Sequence, residues 1–153
     1  MVTYCRDLWR LDLSTWEWDE LKVKGGPSAR SGHRMLCHKG VLYLFGGFHD
    51  TGVGTPEYFA DLWAFSLETL KWETLGDMRE KWPVARSAFQ WVVHDERLVM
   101  HGGYTKETDD EDGEMEHGRA LGDTWAWRVA DNKVFFILLF CSLSKLLAIA
   151  LRR

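Results

Sequence analysis

The sequence predicts an all-β fold of about two repeated four-stranded antiparallel units, followed by an apolar C-terminal helix. Three observations lead there. Nine tryptophans in 153 residues point to recurring packing positions, because an indole buries a large area and needs a partner for its N–H. Several landmarks return in order: Asp7-Leu8-Trp9 as Asp61-Leu62-Trp63 and weakly as Asp123-Thr124-Trp125, Trp18 as Trp72, Pro27 to Ser31 as Pro83 to Ser87, and Gly46-Gly47 as Gly102-Gly103. Between them lie short runs rich in β-branched and aromatic residues.

Residues 1–26 read as the last two strands of one unit, one at Asp7-Leu8-Trp9 and one at Trp18, eleven residues after the aspartate. Residues 27–76 read as a complete unit. It opens with a hairpin through Lys39-Gly40 and reaches Val41 to Phe45 and the glycine pair. A longer loop leads on to Asp61-Leu62-Trp63 and Trp72. Residues 83–128 repeat the plan, with strands at Ala88 to Val93 and Arg97 to His101 joined by Asp95-Glu96, a tight connection of hairpin length. This unit is expected to be incomplete, with an acidic loop over 104–122 and no tryptophan strand at its end.

These landmarks resemble the kelch-repeat family, whose repeat has an arginine near its start, a Gly-Gly doublet after its second strand and a tryptophan near its fourth. Here they are Arg30, Gly46-Gly47 and Trp72 in one repeat, and Arg86 and Gly102-Gly103 in the next. The resemblance covers about residues 5 to 128. It implies a β-propeller, a closed ring of several blades, of which this chain is a fragment. Trp18, Gly46, Gly47, Trp72, Gly102 and Gly103 are then fold-building residues: the glycines let backbones approach and the indoles fill the gap between sheets. A truncated gene model or a splice form of a longer protein is the expectation.

Composition narrows the function classes. The net charge of −4 and pI near 5.8 supply no positive field for nucleic acid. Cys5, Cys37 and Cys141 are odd in number and widely spaced, so neither a disulfide framework nor a zinc site is expected, and a reducing, cytoplasmic setting is the default. The first 25 residues carry no signal-peptide pattern.

In a propeller blade the connections after the second and fourth strands share one face. Segments 22–31, 48–60, 76–87 and 104–122 meet there, so Arg30, His49, Arg86, Asp109, Asp110 and Glu111 form the candidate partner-binding rim. Arg30 and Arg86 recur at one repeat position, which also fits a structural role, capping carbonyls or pairing an aspartate. Glu107 to Glu116 holds seven carboxylates in ten residues, the composition of a solvated loop. Calcium-loop spacing from Asp110 fails at Thr108 and Arg119.

Some propellers resembling this one are copper oxidases, and others bind iron through Glu, Asp and His spaced by four. Taking His117 as the end of such a triad requires Asp at position 113, which is glycine. His33, His38, His94 and His101 lie on or beside strands, where hydrogen-bonded structural imidazoles are the simpler reading. No catalytic residue, cofactor or metal site is assigned. The expectation is a non-enzymatic scaffold binding a protein or peptide of unidentified sequence through loops on one face; the alternatives are a piece of a metal-dependent or galactose-oxidase-like enzyme and a non-functional product.

Residues 134–151 carry fifteen apolar residues in eighteen, followed by Arg152-Arg153. As a helix this is near the minimum that spans a bilayer, with Lys145 as a costly interruption. Three readings stay open: a membrane anchor, a helix on an exposed blade face, and translated non-coding sequence.

Overall fold

The structure is a computed structural model that describes residues 3–53, 55–75, 82–108 and 116–137. An N-terminal hairpin pairs β1 (Trp9–Leu11) with β2 (Trp18–Glu20). Blade one is an antiparallel sheet of β3 (Arg34–His38), β4 (Val41–Phe45), β7 (Leu62–Ser66) and β8 (Lys71–Leu75), in that spatial order. A small hairpin of β5 (Phe48–His49) and β6 (Glu57–Tyr58) interrupts it after the glycine pair. Blade two repeats the order with β9 (Gln90–His94), β10 (Arg97–Thr108), β11 (Glu116–Arg128) and β12 (Lys133–Ile137).

The strands follow from residue type and turn chemistry. Both first hairpins close through two residues at positive φ, Lys39 and Gly40 in blade one, Asp95 and Glu96 in blade two. That twist suits two-residue hairpin loops. Alternation then sorts side chains between faces. Tyr43, Phe45, Leu62 and Ala64 of blade one meet Leu98, Met100 and Trp127 of blade two in one buried cluster, with Phe89 fully buried among them.

Two sequence expectations are corrected in blade two. The apolar C-terminal helix does not form where the tail begins: Lys133–Ile137 is strand β12, paired with β11 through Trp127↔Val134 and Ala126↔Phe135. The blade therefore has its fourth strand. Arg128 leads into a single 3-10 turn, Val129–Asp131, and Asn132 in the left-handed region reverses the chain. Lys-Val-Phe-Phe-Ile is a β-favouring run, and the open edge of β11 offers it backbone partners that a helix would leave unmet. No α-helix occurs among the described residues, and none of their helices is long and apolar enough to cross a membrane. Residues 138–151 of the expected tail lie outside the described residues.

The second correction concerns the flanks of the acidic loop expected over 104–122, whose central residues 109–115 lie outside the described residues. β10 and β11 run on past the glycine pair as one ladder, from Gly103↔Leu121 to Thr108↔Glu116, with a register shift between His101 and Gly103. Repeated carboxylates masked this segment's pairing capacity, because strand formation depends on the backbone ladder and Tyr104 and Thr105 already favour it.

Candidate functional site

Each blade is locked at its rim by the same three side chains. Arg30 Nη1 and Nη2 donate to the two carboxylate oxygens of Asp61 at 2.5 and 2.9 Å, and Nη1 also donates to the Gly46 carbonyl. Asp61 accepts in addition from the Trp63 indole at 2.6 Å. In blade two Arg86 donates to Asp123 at 2.6 and 2.7 Å and to the Gly102 carbonyl, while Trp125 donates to Asp123. The two-pronged geometry needs a planar guanidinium. In the N-terminal hairpin Trp9 donates to Asp7 in the same way.

Burial raises the Asp123 pKa, but hydrogen bonds from Arg86 and Trp125 and the Arg86 charge together outweigh it and hold the carboxyl below its ordinary range. The Arg86 side chain is 0% exposed and that of Arg30 4%. Both arginines, candidates for the rim by sequence, are buried with their guanidinium groups engaged, which is the aspartate-pairing, carbonyl-capping role also read for them.

The glycine pairs explain how the next chain segment passes. Gly46 and Gly47 have φ of +64° and +97°. A Cβ on Gly46 would overlap the Arg86 carbonyl of the neighbouring blade, which accepts a 2.8 Å bond from the Gly47 N–H. A Cβ on Gly47 would meet Ser31 O at 2.7 Å, and one on Gly103 would meet Ser87 O at 2.7 Å. Gly46 therefore admits the adjacent blade, and Gly47 and Gly103 admit the segment that leads into their own blade's first strand. Gly102 would meet only Leu121 O, at 3.1 Å. Trp72 half-buries its ring against Phe65 and Trp63, whereas Trp18 on the N-terminal hairpin is 64% exposed.

Directly after each pair an aromatic residue bridges back to the serine following the locked arginine. Ser31 and Phe48 exchange backbone bonds at 2.9 and 2.8 Å, and Ser87 and Tyr104 at 2.8 and 2.9 Å. This repetition builds a band of rings that crosses the blades. Tyr4 stacks on His49 with centroids 4.6 Å apart, Phe48 stacks on Tyr58 at 5.6 Å, and Tyr58 meets Tyr104 at 6.3 Å. Burial, and then Tyr104, raise the Tyr58 phenol above its ordinary value. His49 Nδ1 donates to the Ala29 carbonyl at 2.9 Å. An Arg119–Glu107 ion pair stands on the ladder above Tyr104.

Of the three expected rim residues that are described, His49 joins this band and Arg30 and Arg86 do not. Asp109, Asp110 and Glu111 lie outside the described residues. Tyr4, Tyr58 and Tyr104 were missed, although Phe48 and Tyr104 stand one residue beyond the two glycine pairs and so share a repeat position. The strand-borne histidines hold local partners: His38 bonds Glu96, together with Lys39, and His101 bonds Thr124 at 2.9 Å. Among the described residues no group of three or more His, Cys, Asp or Glu side chains could hold a metal ion.

Residues 2–134 match the family described as the KLHDC2/KLHL20/DRC7 Kelch-repeats domain. Kelch domain-containing protein 1 of Homo sapiens is 32% identical over 99 residues, 64% of this chain and 24% of that protein. Kelch domain-containing protein 2 of Homo sapiens is 30% identical over the same coverage. Host cell factor 1 of Homo sapiens is 30% identical over 144 residues, 80% of this chain and 6% of that protein. The narrower reading of Asp7 to Phe48 as kelch domain-containing protein 4 is corrected by these matches, which support proteins 1 and 2. The chain spans about a quarter of the length of proteins 1 and 2. The family match over residues 2–134, together with the locks, the glycine pairs and the blade order, shows that the chain belongs to the kelch-repeat family.

Proposed function

We propose that this chain is a segment of a protein-interaction scaffold whose rim loops hold a peptide or protein segment. The repeats divide it at 1–26, 27–76 and from 83 onward. The observation that carries this reading is the aromatic band of Tyr4, Phe48, His49, Tyr58 and Tyr104. Aromatic rings with polar tips give large contact area at small entropy cost, which is why they concentrate at recognition surfaces. Arg30 and Arg86 act as positioning residues in this proposal, and His49 is a direct contact. Asp109, Asp110 and Glu111, rim candidates by sequence, favour a partner with basic character.

A displayed random-peptide library panned on the chain tests it. Enriched peptides are expected to lose at least roughly tenfold in affinity on the Y58S/Y104S variant. Peptides that bind both forms equally, or no enrichment at all, would overturn the assignment.

A further inference from the structure

We propose that Gly118 is a positioning residue of the aromatic band: its missing side chain is the seat of the Tyr104 phenol on the β10–β11 ladder, and the seat sets where Tyr104 meets Tyr58 across the joint between the blades. The part this contact plays in recognition rests on the interaction-scaffold reading. The seat itself does not.

Gly118 lies inside β11, paired with Lys106, while Tyr104 pairs with Ala120. Side chains two apart on a strand share a face, so a long side chain at 104 has position 118 as its diagonal neighbour. A Cβ on Gly118 would overlap the Tyr104 hydroxyl and stand 2.6 Å from Cζ and 3.0 Å from Cε2. The backbone does not call for glycine there, since Gly118 is not among the residues at positive φ. Glycine weakens a strand, and without positive φ what it offers in return is space. The Tyr104 ring fills that space, the cross-strand arrangement in which an aromatic covers a glycine. Gly122, four residues further along β11, also lacks positive φ, and a Cβ on it would meet nothing within 4 Å.

The seat governs the ring because the backbone beneath it is fixed. Tyr104 exchanges backbone bonds with Ser87 at 2.8 and 2.9 Å, and Gly103 just before it is closed in by Ser87 O and Phe89. The side chain is therefore what yields to a group added at 118. The seated ring stands 6.3 Å from Tyr58, and Tyr58 stacks in turn on Phe48. The Tyr58–Tyr104 contact thus carries the band from blade one to blade two. Burial and then Tyr104 raise the Tyr58 phenol, with Asp50 adding to them and Lys106 and the Ser87 hydrogen bond opposing. Withdrawing the Tyr104 ring weakens both leading causes.

Nuclear magnetic resonance of the intact 153-residue chain with 13C-labelled tyrosine rings tests this, Tyr58 and Tyr104 being assigned by phenylalanine substitution. Gly118→Ala is expected to fold, by far-ultraviolet circular dichroism, because it displaces only the far end of a side chain. It should lose the Overhauser effects between the Tyr58 and Tyr104 rings, and its Tyr58 phenol should titrate closer to the ordinary 10.0. Gly122→Ala should change neither. Peptides enriched on the unaltered chain should bind G118A roughly tenfold more weakly. Adding G118A to Tyr104→Ser should cost nothing more, since Gly118 acts through Tyr104. Folded G118A that keeps the Overhauser effects, G122A that loses them equally, or a G118A ladder that fails to fold overturns the proposal. A further loss of affinity from G118A in the Y104S chain overturns it too. A broken ring contact with unchanged peptide affinity, or with no peptides enriched, supports the seat and sinks the recognition reading alone.

Discussion

Trp72 lies so close over Gly26 that a Cβ on the glycine would come within 2.7 Å of the indole ring. Blade two makes the opposite choice at both positions. Trp82 stands where Gly26 stands, 56 residues on, and Val134 takes the strand position of Trp72, opposite Trp127 as Trp72 is opposite Phe65. Trp82 and Val134 line one apolar cavity between the blades, and the Trp82 indole donates to the Ala60 carbonyl at 2.6 Å. One large and one small residue fill each site, with the order exchanged. Trp82→Gly is expected to cost about 3 kcal/mol, the low end of the range for deleting a large core aromatic, because the indole is partly buried. Adding Val134→Trp should recover part of that loss, and urea unfolding of the four-member cycle measures the coupling. A simple sum of the two single effects would count against the exchange.

The two glycine pairs predict unequal tolerance. Ala at Gly46 or Gly102 meets the strain of positive φ, about 1–3 kcal/mol. Only at Gly46 does the new methyl group also collide with the backbone of the adjacent blade. Gly46→Ala should therefore lower the unfolding midpoint distinctly more than Gly102→Ala. Equal midpoints would show that the blades do not approach there in solution.

The Arg86–Asp123 lock predicts a large loss when one partner is removed. Arg86→Met leaves a partly buried carboxylate without its guanidinium and is expected to cost about 3–5 kcal/mol. Asp123 has a folded pKa below its ordinary 3.8. The unfolded chain therefore takes up the proton first as pH falls. The contribution of this carboxylate is complete above pH 3.8 and is lost as pH falls through the folded value. Asp123→Asn should remove that acid-side component in unfolding measured against pH.

His33 predicts a separate pH effect. Burial first, then the charges of Arg30 and Arg34, lower its pKa from 6.5, and its buried Nδ1 has no hydrogen-bond partner. Protonation is thus favoured in the unfolded chain, so His33 contributes stability above pH 6.5 that declines as pH falls below it. Phe89 stands at the same position of blade two. His33→Phe is expected to flatten the slope of stability as pH falls below 6.5. An unchanged slope would exclude His33 as its source.

The blades were legible because their landmarks are tied to backbone events that only certain residues permit. A glycine pair at positive φ and an Asp-x-Trp step that shares one carboxylate leave marks at fixed distances in the chain. The rim was less legible. Arg30 and Arg86 recur at one repeat position, which fitted both a partner-binding and a structural role; the bidentate bonds to Asp61 and Asp123 and the bonds to the Gly46 and Gly102 carbonyls are the structural one. The fourth strand of blade two was hidden because the marker tryptophan had moved to Trp82, a change visible only once Gly26 and Trp72 are seen to touch. Tyr58 lies on the insertion hairpin, which no repeat landmark reaches, so its stacking on Phe48 had no counterpart in sequence spacing.

The paired extension of β10 and β11 above Gly102 has an evolutionary consequence. A ladder of this kind changes height by adding or deleting one residue on each strand, or an even number to keep every side chain facing as before. Nothing below the glycine pair need respond, since the Arg86 lock and the Ser87–Tyr104 bridge close off the base. Reach becomes a heritable variable separate from foldability. Blade one carries the short version, in which Phe48–His49 pairs with Glu57–Tyr58, and blade two carries the tall one.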